Sequence, residues 1–409
     1  MNSSDNLISV TGIGISSSIG NTPEVFLDSL LAGKSNFKIL ERPGREGKSQ
    51  FIGAELDEND ICRNLSKKMI RNASLSASIG LATAIQACED SRYKEIDGTR
   101  IGLIVAGSNF QQRELSFVYS KYSGNEEFIT PSFGYTFWDS DICGLCSEAL
   151  GIQGFAYTTG GASASGQLAI IQGMNAINQG LVDLCVVIGP VTDLSYLELQ
   201  AFTSMGALGS AKFFEEPQKA SRPFDTNRDG FIFGESCGVL VLEKEEHAKK
   251  RGASIYGHLV SFGIHMDGNR LPNPNIEGEY QAIRKALTQA GISEKDIQYI
   301  NPHGTGSIRG DEIELAALKC AGFEHAYINA TKSLIGHGLC SSGIVEVIAA
   351  LLQIKHGKLH PTRNLDSPIS DSFNWVLKKQ IEADIRYALC MNIGFGGMNT
   401  ALCIKGESA

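Results

Sequence analysis

Three short segments hold the residue types that could do chemistry. The first, Gly160-Gly161-Ala162-Ser163-Ala164-Ser165-Gly166, is a run of small residues that reads as a tight turn ending a strand and opening a helix. A residue there sits near free backbone N–H groups and the positive end of the helix dipole, where an anion is favoured. A cysteine at such a turn becomes a nucleophile at neutral pH. A serine does not, and needs a positioned base before it can attack. Taken alone, Ser163 also reads as a small helix-capping residue.

The second and third segments carry one histidine each. His303 stands in Asn301-Pro302-His303-Gly304-Thr305-Gly306, after an apolar strand over 297–300. His337 closes Lys332-Ser333-Leu334-Ile335-Gly336-His337, just before a helical stretch. In α/β folds ligands gather at the carboxyl ends of strands, so two histidines in glycine-rich turns at such ends point to one site. A zinc site takes about four ligands and there is no third ligand motif, so no metal is expected. The other six histidines, such as His247 and His356, stand in charged or surface-like surroundings. Gly394-Phe395-Gly396-Gly397 follows a strand over 387–392. It suits a backbone N–H donor beside a movable apolar gate, or a tight turn with Phe395 filling the core.

Large elements must hold these turns in place. The chain has 409 residues, 42% of them apolar, enough for a large core. Its net charge of −9 comes with no basic stripe, which argues against nucleic-acid binding. The first residues lack the pattern of a signal peptide, and apolar runs such as 184–188 are strand-length, so no membrane span is expected. Ten scattered cysteines read as reduced and mostly buried, in a cytoplasmic protein. Cys143-Gly144-Leu145-Cys146 is a lone pair, short of a metal site. Gly12-Ile13-Gly14 lacks the third glycine of a dinucleotide fingerprint.

Helical patterns cover 22–31 and 67–90, and buried strands are expected at 7–14, 100–108, 181–189 and 238–243. Their alternation argues for an α/β architecture. Residues 110–151 are aromatic, long and irregular, as expected of a segment lining a site or a subunit contact. The chain also repeats itself. A helical stretch from Ser165-Gly166 to Gly180 aligns without gaps with one from Ser342-Gly343 to Gly357, which sets Ser163 opposite Cys340. Two related halves follow, 1–250 with Ser163 and 251–409 with His303, His337 and Phe395, packed as one unit. Two buried helices that both need small residues at their starts would give a similar match.

The same residues resemble the ketoacyl-ACP synthase branch of the thiolase superfamily. The markers are Val10-Thr11-Gly12-Ile13-Gly14, Ser221-Arg222-Pro223-Phe224-Asp225 with Arg228-Asp229-Gly230, the two histidine segments with Gly310-Asp311, and Gly394-Phe395-Gly396-Gly397. The resemblance spans nearly the whole chain. It implies a five-layered αβαβα thiolase-like fold of two related halves, usually a homodimer, acting on acyl carrier protein (ACP) thioesters. It makes His303 and His337 the pair that polarises a malonyl thioester carbonyl and Lys332 a buried lysine with Glu346 as its acidic neighbour. It makes Phe395 the gate, with Gly396 beside it at the oxyanion position. No cofactor is implied beyond the phosphopantetheine that the ACP itself carries.

Ser163 departs from that pattern, because the branch places its nucleophilic cysteine there. Cys340 belongs to the second half and is not expected to replace it. With serine, acyl transfer should fail, whereas decarboxylation needs only stabilisation of an enolate oxygen. The chain therefore resembles the cysteine-to-serine decarboxylating ketosynthases of polyketide β-branching cassettes. These make acetyl-ACP from malonyl-ACP for a hydroxymethylglutaryl-CoA-synthase-like partner. Three alternatives stay open: a serine-dependent acyltransferase, a non-catalytic chain-length partner subunit, and an engineered variant of a condensing enzyme.

Overall fold

The computed structural model describes residues 7–93, 96–209 and 212–407. Five strands build its first half: β1 (Ile8–Ser17), β2 (Ile101–Ala106), β3 (Phe155–Thr159), β4 (Leu184–Gly189) and β5 (Ser236–Lys244). Five more, with the short edge strand Asn374–Trp375 beside β8, build the second: β6 (Gly257–Met266), β7 (Tyr299–Asn301), β8 (Tyr327–Ile328), β9 (Tyr387–Gly394) and β10 (Met398–Lys405). The first set runs β3-β2-β4-β5-β1 and the second β8-β7-β9-β10-β6, the same order with every label raised by five. The sense of pairing repeats as well. β2 lies parallel to β3 and β4, and β7 parallel to β8 and β9; the remaining pairs are antiparallel. The two sets join where Ile8–Val10 pairs with 257–259.

Helices complete the layers: α1 (Leu75–Ser91) outside the first sheet, α2 (Ser165–Asn178) and α5 (Ser342–His356) between the sheets, and α3 (Ile276–Ala290) with α4 (Ile308–Cys320) outside the second. Strand residues serve these layers alternately, as the two-residue pleat requires. On β4, Cys185 and Val187 face the central layer, and Leu184, Val186 and Ile188 face α1. On β9, Ala388 and Cys390 face the centre, and Leu389 and Met391 face α3 and α4. With both faces covered, β1 is buried along its whole length. Leu339–His356 is long and apolar enough to cross a membrane by composition, yet 83% of it is buried as the central helix α5.

The repeat has a physical basis at the crossing of α2 and α5. A Cβ on Gly166 would come within 2.8 Å of the Ile344 nitrogen, and one on Gly343 within 2.7 Å of the Gln167 nitrogen. The two helices can touch only because both positions are glycine. The turns before them match too. Ala162 (φ +50°) and Leu339 (φ +55°) both adopt the left-handed backbone that costs a non-glycine residue roughly 1 kcal/mol.

Three expectations need correction. The helix expected from 67 begins only at Leu75, because the Ser74 side chain accepts the Ala77 N–H and caps it there. Residues 110–151 are not irregular. They form helices Gln112–Tyr122, Phe133–Thr136 and Asp141–Leu150, of which the aromatic residues Tyr119 and Tyr135 are exposed and blur the apolar periodicity. Nor are all six remaining histidines at the surface. His258 and His360 are buried, the first bonded to Ser9 and the second to Thr331 Oγ1 and the Pro361 carbonyl.

Candidate active site

Ser163, His303, His337 and Phe395 line one cavity of about 540 Å³. Ser163 sits in the 3-10 turn Ala162–Ala164 that leads into α2, and it is almost fully buried. Its Oγ lies 2.9 Å from His337 Nε2. Phe395 tops the hairpin between β9 and β10 and is 44% exposed, its ring 6.4 Å from that of Phe202. The hairpin can lie against the Ser163 turn because residue 394 is glycine; a Cβ there would come within 2.3 Å of the Gly161 carbonyl. Gly396, at φ +88°, supplies the bend, and its α-carbon faces open space.

The rings of His303 and His337 stand edge to face, with centroids 5.4 Å apart. Each has its own support. The backbone of His337 is tied to the strand Phe233–Gly234 region through its N–H to the Ile232 carbonyl and its carbonyl to the Gly234 N–H. The backbone N–H groups of His303 and Gly304 both donate to Glu314 on α4, at 2.5 and 2.8 Å. Asp311, one turn earlier on α4, accepts the Gly306 and Phe224 N–H groups. The Ser221–Gly230 motif thus clamps the His303 turn.

The proton position on His337 follows from its neighbours. Nδ1 receives the backbone N–H of Leu339 at 3.3 Å and lies 2.8 Å from Ser342 Oγ. A backbone N–H can only donate, so Nδ1 accepts and the ring hydrogen sits on Nε2, aimed at Ser163. Burial, with the Lys332 charge nearby, holds both histidines well below the usual imidazole range. Both rings are therefore neutral at pH 7. His303 Nδ1 is enclosed without a partner.

Lys332 and Glu346 form a fully buried ion pair. Lys332 Nζ also donates to the His303 carbonyl at 2.6 Å, and Asn392 donates to the other Glu346 oxygen at 2.8 Å. Thr331, next to Lys332, is held by Asn301 and His360. The ammonium thus reaches the histidines as a fixed charge. Among the described residues, no group of three or more His, Cys, Asp or Glu side chains could hold a metal ion.

The structure brings Ser163, His303, His337 and Phe395 to one cavity, with Lys332 and Glu346 joined to it through the His303 carbonyl; Gly396 follows Phe395 in the hairpin but does not line the cavity. The sequence reading missed Glu314, Ser342 and the Leu339 N–H, which set the histidine backbone and tautomer. A partial signal existed: Asp311 and Glu314 stand one helical turn apart directly after the His303 turn.

Models of the beta-ketoacyl synthase N-terminal and C-terminal domains match residues 5–248 and 256–366. The chain belongs to the beta-ketoacyl synthase family. It is 52% identical to polyketide biosynthesis malonyl-ACP decarboxylase PksF of Bacillus subtilis (strain 168), over 97% of this chain and 95% of that protein. It is 33% identical to 3-oxoacyl-[acyl-carrier-protein] synthase 2 of Vibrio cholerae, over 97% of this chain and 98% of that one. Among solved structures, the ishigamide ketosynthase/chain length factor superposes with a TM-score of 0.88 at 25% identity, covering 99% of this chain and all of that one. A type II polyketide synthase ketosynthase in complex with its acyl-carrier protein superposes at 0.85, also at 25% identity, covering 98% of this chain and all of that one.

Proposed function

We propose that this chain decarboxylates malonyl-ACP to acetyl-ACP and transfers no acyl group to Ser163. The observation that carries this reading is the tautomer of His337. Its Nε2–H points at Ser163 while its Nδ1 is occupied, so no base stands ready to take the hydroxyl proton. The same N–H is well placed for another task. As the bond to the carboxylate breaks, carbon dioxide leaves and the electron pair moves onto the thioester oxygen. A neutral imidazole donor aimed at that oxygen stabilises the charge as it grows, at roughly 3 kcal/mol per donor. His303 supplies the second donor.

Lys332 acts at one remove. Its charge adds to the burial that keeps both rings neutral, and its bond to the His303 carbonyl fixes that turn. Phe395 covers the cavity and limits water, which strengthens the donors by lowering the local dielectric. No cofactor is needed beyond the phosphopantetheine of the ACP.

The 52% identical relative carries this same activity in its name, and a superposing ketosynthase is bound to an ACP. The wider reading is supply of acetyl-ACP for polyketide β-branching, in the cytoplasm, to a hydroxymethylglutaryl-CoA-synthase-like partner. A homodimer belongs to it. β3 is the outer strand of its sheet, partly exposed and with one neighbour, an edge that a second copy could extend. The test is to load ACP with malonyl-pantetheine, add the enzyme and follow the intact ACP mass. Acetyl-ACP is expected, and persistence of malonyl-ACP would overturn the proposal.

A further inference from the structure

We propose that Glu279 is the acid that quenches the enolate, delivering a proton into the reaction cavity once carbon dioxide has left. The proposal rests on the decarboxylase reading and adds the step that reading leaves open. A condensing site hands its enolate to an acyl carbon. A site without an acyl acceptor must hand it a proton.

Glu279 lies in the first turn of α3, is fully buried, and lines the cavity shared by Ser163, His303 and His337. No hydrogen-bond donor reaches either of its carboxyl oxygens. A glutamate in the first turn of a helix is commonly exposed to solvent. Here it turns inward.

Its surroundings are acidic: Glu314 and Asp311 on α4, and Asp267 just after β6. Two cations of the same region serve other groups, Lys332 with Glu346 and Arg228 with Asp311 and Glu312. The three acidic neighbours are also engaged. Glu314 holds the His303 and Gly304 N–H groups, Asp311 holds those of Phe224 and Gly306, and Asp267 accepts from Asn399 at 2.9 Å. Glu279 alone keeps both oxygens free. An unpaired carboxylate cannot be held in such a place at low cost, so the group rests as the neutral acid. Burial and the neighbouring carboxylates push it well above the usual carboxyl range.

The step balances. The carbon–carbon bond of the malonyl group breaks, carbon dioxide leaves, and the pair rests on the enolate oxygen. The oxygen pair then re-forms the thioester carbonyl, and the enolate C=C pair takes the Glu279 proton at the α-carbon to give the methyl group. The carboxylate left beside Glu314 is unfavourable and takes a proton back from water. One proton from solvent is consumed per turnover.

The experiment uses the full-length enzyme, malonyl-ACP, and the variants Glu279→Gln and Glu279→Ala, with folding checked by thermal melting. Glu279→Gln keeps shape and loses the acid. Its kcat should fall by about 100-fold or more with KM little changed, the usual scale for a lost general acid. Wild-type kcat should decline as pH rises through the raised range in which the Glu279 carboxyl loses its proton, and the variant should lose that decline. Added formate should restore part of the activity of Glu279→Ala. A Glu279→Gln enzyme within about twofold of wild type, with the same pH profile, would overturn the proposal. So would a loss of kcat that leaves the pH profile unchanged and resists formate, since that marks a structural role. Wild type that forms no acetyl-ACP would remove the decarboxylase reading itself.

Discussion

The turn before α2 and the turn before α5 are two copies of one backbone with different chemistry. Both are 3-10 turns, both hold a left-handed non-glycine residue, and their helices cross at paired glycines. Ser163 occupies one and Cys340 the matching place in the other. Ser163 faces His337 across 2.9 Å. Cys340 packs so tightly against residue 107 that a Cβ there would come within 2.4 Å of its sulfur. Burial pushes its thiol up, away from thiolate. The helix N-terminus is common to both, so it does not by itself make a reactive residue. What differs is the histidine pair, and both histidines face the first turn from the second half of the chain.

The comparison can be broken in several ways. The largest effect should come from the pair. His337→Ala or His303→Ala should each lower kcat for acetyl-ACP formation by about 100- to 1,000-fold, the cost of one lost donor. A near-normal rate in both would separate the first turn's chemistry from the histidines. Next comes the shared crossing. Gly343→Ala would place a Cβ within 2.2 Å of Asn392 Oδ1 and 2.7 Å of the Gln167 nitrogen, so it should destabilise the fold by about 1–3 kcal/mol. Thermal melting reads this, and an unchanged melting temperature would show that the helices are free to move apart.

A third effect is on pH. Both histidines titrate lower in the folded protein than in the unfolded chain. The stability they contribute is complete above the unfolded value, about 6.5, and is lost as pH falls below it, because only the unfolded chain takes up those protons. His337→Gln should therefore show a smaller loss of melting temperature between about pH 6.5 and 5 than wild type. Smaller still are changes at the two matched residues. Ser163→Ala should cost less than about tenfold in kcat, well below either histidine. Ser163→Cys should acquire rapid alkylation by iodoacetamide at residue 163, while Cys340 stays unlabelled in the folded enzyme. Labelling at Cys340 instead would reverse the assignment of the two turns.

Much of this was legible in the sequence, for reasons that also mark where legibility ended. Ser163, His303, His337 and Phe395 sit in glycine-rich turns, and such turns announce themselves because few other residues can make them. The gapless match of the two central helices was readable because their crossing demands small residues at the same register. Glu314 and Ser342 were not assigned, since an ordinary helical glutamate or serine gains its role from what the fold sets beside it. Glu279 looks like any first-turn acid until its burial and its two unpartnered oxygens are seen. Residues 110–151 hid their helices because exposed aromatics such as Tyr119 and Tyr135 break the apolar stripe that identifies a helix. His258, between Gly257 and Leu259, and His360, between Leu359 and Pro361, were misplaced because sequence neighbours say little about burial in space.

The most direct test of the central claim reads two masses in one reaction, that of the ACP and that of the enzyme. Wild-type protein is mixed with malonyl-ACP and sampled through many turnovers. The account predicts that malonyl-ACP is converted to acetyl-ACP while the enzyme mass does not change. An acyl adduct on Ser163, formed and consumed at the rate of turnover, would contradict it.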